Sequence, residues 1–193
     1  MSLISYDNLC LLVERNVITN VEHDQINATS IDLTLGTKLL IEASHPDQFL
    51  HKLQGGGESA MGISLRDRDP LNMRQHDLIE DGPFDLLPGQ FILASSAQVF
   101  NLPRNVSAEY KLKSSMARIG LEHLNAGWCD AGWHGSALTL ELKNMTQHHA
   151  IRLQAGDRIG QVVFFMHAEV PADRSYAARG RYNGDTEVSG IKP

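Results

Sequence analysis

Apolar residues recur at helical spacing once near the start of this chain. In SYDNLCLLVER (5–15) Leu9, Leu12 and Val13 share a face, and Ser5 is placed to cap the helix they predict. Beyond it the period falls to two. In IDLTL (31–35) Ile31, Leu33 and Leu35 alternate with Asp32 and Thr34, a half-buried strand, and KLLIE (38–42) follows Gly36 closely enough to predict a hairpin. From Phe84 onward strand patterns recur between turn signals: FDLL, QFILA, AQVFNL, VSAEYKL, ALTLEL, HAIRL and RIGQVVFFM. Many short strands with few helices predict a mainly β protein, an antiparallel sandwich or barrel-like roll.

Two stretches break the alternation. Residues 43–83 are rich in His, Asp, Gly and Pro and predict an irregular insertion or long surface loops. Their GGGES run lacks the lysine and the strand–helix frame of a phosphate-binding loop, so it reads as a flexible turn. From Arg174 the tail RSYAARGRYNGDTEVSGIKP has little apolar content and cannot bury itself alone, so it is disordered or folded over a ligand. The expected organisation is one domain over 1–173 and a flexible arm over 174–193.

Composition narrows the partners. The 193 residues, 42% hydrophobic and 21% charged, suit one globular domain. A net charge of −6 argues against a nucleic-acid or anionic-membrane binder, which needs a basic surface, but leaves room for a local anion pocket. No basic stretch leads into an apolar run at the N-terminus and no segment approaches the ~18 apolar residues of a membrane span, so a cytoplasmic protein is expected. Cys10 and Cys129 stand far apart, which predicts buried thiols rather than a disulfide framework or a cysteine zinc site.

Three segments could carry chemistry, and one imitates it. His167-Ala168-Glu169 resembles the HxE element of zinc-dependent nucleobase deaminases, but no cysteine follows position 129 to complete such a site, and His167 reads as a strand end. In KSSMARIG (113–120) Ser114 or Ser115 can cap a short helix over about 114–119, with Met116 and Ile119 inward and Gly120 ending it. The same residues gather two hydroxyls, Lys113 and Arg118 into an anion site, and local pattern supports both readings equally. NAGWCDAGWHG (125–135) predicts a tight hairpin presenting Asp130, and ALTLELKN (137–144) puts Leu138, Leu140 and Leu142 on one face of a strand and Thr139 and Glu141 on the other.

The order of these motifs resembles the deoxycytidine triphosphate deaminases, which share a fold with the trimeric deoxyuridine triphosphatases. INATSIDLTLG (26–36), FDLLPGQFILASSAQVFNLP (84–103) as a central hairpin, KSSMARIGL, DAGWHG, TLELKN, LQAGDRIGQVVF (153–164) and the tail tyrosines follow in family order. The resemblance implies a dUTPase-like distorted jelly roll and a zinc-independent hydrolase converting dCTP to dUTP and ammonia. It casts Glu141 as the carboxylate that takes a proton from water attacking C4 of cytosine, with Ser114 placing that water and Arg118 holding Glu141. Lys113, Ser114 and Ser115 would grip phosphate, Asn125 and Ala126 would read the base, and Asp130 would hold the 3′-hydroxyl. Tyr176, Arg181 and Asp185 would belong to the closing arm. Mg²⁺ is expected on the triphosphate, with homotrimers, interfacial sites and dTTP as an inhibitor of related enzymes.

Three departures qualify this picture. One extra residue stands between Asp130 and Glu141, which needs a β-bulge if Glu141 is to keep its aim. Asp185 stands where a glutamine is usual, and Lys113 where an arginine is usual. NAGWCDAG favours a second reading, a bifunctional enzyme that goes on from dUTP to dUMP and diphosphate, and the Glu141 spacing with Asp185 motivates a third, a non-catalytic nucleotide-binding homologue.

Overall fold

The computed structural model describes residues 2–43, 63–64, 66–68 and 70–192. Strand β1 (Ser2–Leu3) leads into helix α1 (Tyr6–Glu14), then β2 (Ile18–Thr19), β3 (Ile31–Glu42) and β4 (Met73–Asp77). Next come β5 (Phe84–Leu86), β6 (Phe91–Asn101), β7 (Val106–Leu112) and the five-residue helix α2 (Ser114–Arg118). The chain continues through β8 (Leu121–His123), β9 (Trp128–Cys129), β10 (His134–Asn144), β11 (Ile151–Leu153), β12 (Arg158–Met166) and a last short helix, α3 (Tyr176–Arg179).

The described strands pair antiparallel in one curled sheet ordered β8-β10-β6-β3-β12-β7-β9, with β1 beside β12, β2 beside β6 and β4 beside β3; β5 and β11 form a separate pair. The fold is thus the mainly β roll expected. Strand β3 makes the sheet curl: Ile31 to Thr34 pair with β12, while the residues from Leu35 onward pair with β6 and β4. Tyr110, Phe100 and Phe164 are the largest fully buried side chains inside the roll. Burying their apolar surface, at about 25 cal/mol per Å², is the main force that closes it.

Several boundaries differ from the sequence reading. Gly36 makes no hairpin; IDLTL and KLLIE are one strand, with two extra residues bulged between Leu35 and Leu39 against β6. The bare Cα of Gly36 explains the strand's close passage, because a Cβ there would meet Ser95 Oγ at 2.8 Å. QFILA and AQVFNL likewise fuse into β6, and FDLL pairs with β11 rather than forming a central hairpin with it. Within 43–83, Met73–Asp77 is a strand and not loop; the GGG run lies outside the described residues. Ser5 is the N-cap of α1 as expected, although its side chain makes no capping bond.

Helix α2 also differs in detail. Its N-cap is Lys113, not a serine, and Ile119 is exposed while Met116 alone packs on the core. Gly120 ends it at φ +86°; Cys129 is the buried free thiol expected, whereas Cys10 is free but only half-buried. No described helix is long and apolar enough to cross a membrane.

Candidate active site

Strand β10 delivers the central carboxylate. Leu138, Leu140 and Leu142 are buried in the core as the alternation predicts, so Thr139 and Glu141 turn to the opposite face. There they line a cavity of about 550 Å³ with Phe91, Leu93, Trp133 and Ala126. The bulge that Glu141 requires is present: between His134 and Ser136 the pairing with β6 slips by one residue, leaving Gly135 unpaired at φ +64°. A second irregularity, two extra residues of β6 between Val99 and Ser95, follows before Thr139 opposes Ser95 and Glu141 opposes Leu93. A slip of one residue without such a bulge would have turned Glu141 into the core.

Behind Glu141 lies a buried polar cluster that sequence reasoning missed. His123, on β8 next to β10, is 4% exposed and holds Nε2 3.2 Å from Glu141 Oε2. Tyr110, on β7, is 2% exposed and tilts its ring against His123 with centroids 4.6 Å apart. Room for the Tyr110 ring comes from Gly160 on β12, where a Cβ would meet ring carbons at 2.1 and 2.2 Å. The Nε2–Oε2 approach is off hydrogen-bond alignment, so Tyr110 Oη, His123 Nε2 and Glu141 Oε2 are each buried without a hydrogen-bond partner. An unsatisfied buried polar group costs about 1–3 kcal/mol. Burial, reinforced by the Glu141 charge, pushes the Tyr110 hydroxyl far above its ordinary pKa, which keeps it a neutral donor.

The KSSMARIG segment lies elsewhere on the chain. Lys113 Nζ pairs with Asp32 Oδ2 at 2.6 Å; Asp32 is 2% exposed and also receives Asn27 Nδ2 at 2.9 Å and Arg158 Nη1 at 3.7 Å. The polar phase of β3 therefore carries a buried charge that anchors the lysine from behind. Ser114, Ser115 and Arg118 are exposed on α2. Arg118 opens onto a groove with Thr146, His149 and Arg152. Within one chain it does not meet Glu141, whose close side-chain neighbour is the His123 ring.

The remaining predicted residues divide between two depressions. Asn125, at φ +60°, and Ala126 are exposed on the turn leading out of β8, where Leu124 N donates to Glu141 O at 3.1 Å; Ala126 lines the Glu141 cavity. Asp130 is exposed and accepts Trp128 Nε1 at 2.9 Å. It sits in a tight turn closed by Trp133 N to Asp130 O, but the flanking strands do not form the predicted hairpin: β9 pairs with β7 and β10 with β6. Tyr176 shares a neighbouring hollow with Asp130 and Arg179. The His167 ring caps its strand end, bonded to Ser107 Oγ and Ala168 O.

The tail folds back on its own chain. Tyr182 O accepts from Trp133 Nε1 at 3.0 Å and from Ser136 Oγ at 2.7 Å, and Asp185 O accepts from Ala137 N at 2.8 Å. These bonds lay Tyr182 and Asp185 along the cavity that holds Glu141. The Asp185 carboxylate takes Lys192 Nζ at 2.5 Å and Ser189 Oγ at 2.9 Å, and Arg181 stays exposed.

Comparison with known proteins identifies the family. Residues 7–167 match the family model described as dCTP deaminase-like. A "dCTP deaminase, dUMP-forming" of Persephonella marina is 35% identical over 160 residues, covering 83% of this chain and 78% of that protein. One of Methanoregula boonei is 46% identical over 99 residues, 50% of this chain and 53% of that protein. In fold, the crystal structure of 2′-deoxycytidine 5′-triphosphate deaminase from Agrobacterium tumefaciens matches with TM-score 0.62 at 21% identity, over 85% of this chain and 47% of the other. The match thus spans about half the length of the Methanoregula and Agrobacterium proteins. A family model covering residues 7–167 and a relative 35% identical over most of both chains, with the curled antiparallel roll, give one conclusion: this protein belongs to the dCTP deaminase-like family.

Proposed function

We propose that the protein deaminates dCTP and carries the product on to dUMP, releasing ammonia and diphosphate. The observation that carries the reading is Glu141, aimed by the Gly135 bulge into a cavity walled by Trp133, Phe91 and the tail. The names of the relatives favour the dUMP-forming route over release of dUTP as final product. Glu141 takes a proton from the water attacking C4 and passes it towards N3 and the departing ammonia, a role worth ~10²–10⁴-fold in rate. Ser114 helps place that water, and Lys113, Ser114 and Ser115 hold phosphate oxygens. Asn125 and Ala126 read the base edge. Asp130 holds the 3′-hydroxyl and, in the second step, orients the water that attacks phosphorus.

Arg118 and Glu141 face different depressions of one chain, which supports a homotrimer in which the 113–118 segment of one copy completes the Glu141 cavity of the next. The tail, with Tyr176 and Arg181, then closes over the nucleotide and excludes water. Mg²⁺ supplies charge neutralisation on the triphosphate; single carboxylates such as Asp130 suit a cation that arrives on its substrate, because Mg²⁺ keeps several waters and takes few protein ligands. Inhibition by dTTP and a cytoplasmic location belong to the same reading.

Incubation with dCTP and Mg²⁺, with ammonia, dUTP, dUMP and diphosphate resolved, tests it. Ammonia and dUMP in equal amounts are expected; ammonia with dUTP alone removes the second step, and nucleotide binding with neither product makes the chain a binding homologue. Glu141→Gln is expected to abolish ammonia release and leave dCTP binding within about threefold; deamination surviving that change overturns the role of Glu141.

A further inference from the structure

We propose that Tyr110 and His123 are positioning residues for Glu141: from the core side they donate to its inner oxygen, Oε2, and so turn Oε1 towards the substrate cavity. This rests on the reading of that cavity as the deamination site.

Three buried polar atoms, Tyr110 Oη, His123 Nε2 and Glu141 Oε2, lack partners elsewhere among the described residues. They sit on three strands that converge at one point, with Nε2 3.2 Å from Oε2 and the two rings in contact. Donor accounting leaves one consistent pattern. An ionised carboxylate only accepts, a neutral phenol donates one proton, and a neutral imidazole in its Nε2–H form donates another. Two donors and one two-lone-pair oxygen match in number, with no group left over. Gly160 keeps the Tyr110 ring in place from the far side, since any side chain there would displace it.

The other groups around Glu141 do not compete for that oxygen. From β6 its opposite residue is the apolar Leu93. Across the cavity the tail brings Asp185, whose carboxylate is already held by Lys192 and Ser189. Within one chain, Tyr110 and His123 are therefore the groups that set the rotamer of Glu141. Donors to the ionised form hold a carboxyl pKa down. Removing one raises it, so the acidic limb of the rate profile moves to higher pH.

The test uses the full chain with Tyr110→Phe, which keeps the ring and its packing, and the pair His123→Gln and His123→Leu. The readouts are the kcat and KM for ammonia release across pH and the Glu141 carboxyl pKa by NMR, its resonance identified by its loss in Glu141→Gln. Tyr110→Phe is expected to lower kcat about tenfold, the worth of one hydrogen bond to a charged group, with KM within about twofold, and to move the acidic limb of the rate profile to higher pH. His123→Gln retains an N–H donor and is expected to keep most of kcat, whereas His123→Leu loses it. An unmoved Glu141 pKa and acidic limb in both Tyr110→Phe and His123→Leu overturns the proposal, even if thermal stability falls. The NMR titration needs no turnover, so a chain that releases no ammonia refutes the deaminase reading while the positioning of Glu141 is still decided.

Discussion

Replacing Gly160 with alanine tests whether the Tyr110 ring lies where the site requires it. The added methyl would stand 2.1 Å from one ring carbon of Tyr110 and 2.2 Å from its hydroxyl oxygen, against 3.4–4 Å for ordinary contact. The ring must retreat by more than about 1 Å, and at 2% exposure it is walled in by core and cannot swing into solvent. Overpacking of this kind costs about 1–3 kcal/mol, and so large an overlap with a rigid ring belongs at the upper end. For a chain of this size that is a fall in Tm of about 6–12 °C, or roughly 1 M in the urea midpoint, measured at fixed protein concentration. Tyr110→Leu opens space beside the same Cα, so the double variant is expected to be more stable than the two single losses predict, by about 1–3 kcal/mol. A Gly160→Ala protein within about 0.5 kcal/mol of the parent, or strict additivity in the double variant, refutes this packing.

Lys113→Met is expected to cost about 2 kcal/mol, less than the ~3–5 of a fully buried broken pair, because Arg158 and Asn27 still face the Asp32 carboxylate. Lys113→Arg should recover most of it in a thermal melt, and a Lys113→Met protein as stable as the parent would show that the lysine serves only the ligand. At Asp77, the Lys38 ammonium first, then the Ile79 amide, hold the carboxyl down to about 2. A carboxyl whose folded pKa is depressed contributes stability above its unfolded value, near 3.8, and loses it as pH falls towards 2. Asp77→Asn is therefore expected to flatten the acid limb of stability between about pH 4 and pH 2, seen by urea titration at each pH; an unchanged limb contradicts the pairing.

Alternation is a local signal, and it found what local signals can find. It placed most strands and the core face of β10, because a period of two is imposed by the pleat wherever one side is buried. It could not tell a bulge from a turn: Gly36 and the SSA run of β6 interrupt the phase without reversing the chain. The cavity-facing position of Glu141 was legible from the strand that carries it, and the exposure of Asp130 from its glycine-flanked turn. Tyr110 and His123 were not, because Tyr110 reads as one more core residue of VSAEYKL and His123 as one polar letter in LEHLN. Their meeting with Glu141 depends on β7, β8 and β10 converging across the roll. The expected Arg118–Glu141 contact is likewise absent within the single chain, since α2 and the inner face of β10 look onto different surfaces.

The tail is held to β10 largely through its own main chain, at Tyr182 O, Gly184 N and Asp185 O, by Trp133, Ser136 and Ala137. A backbone carbonyl is the same group in every residue type. The path of the tail over the cavity is thus written in the body of the protein, while the side chains it displays there are written in the tail itself. Substitutions at positions such as Asp185 can change the charge that faces the cavity without moving the strap that presents it. The path of the strap and the charge it displays are separable quantities, each open to alteration alone.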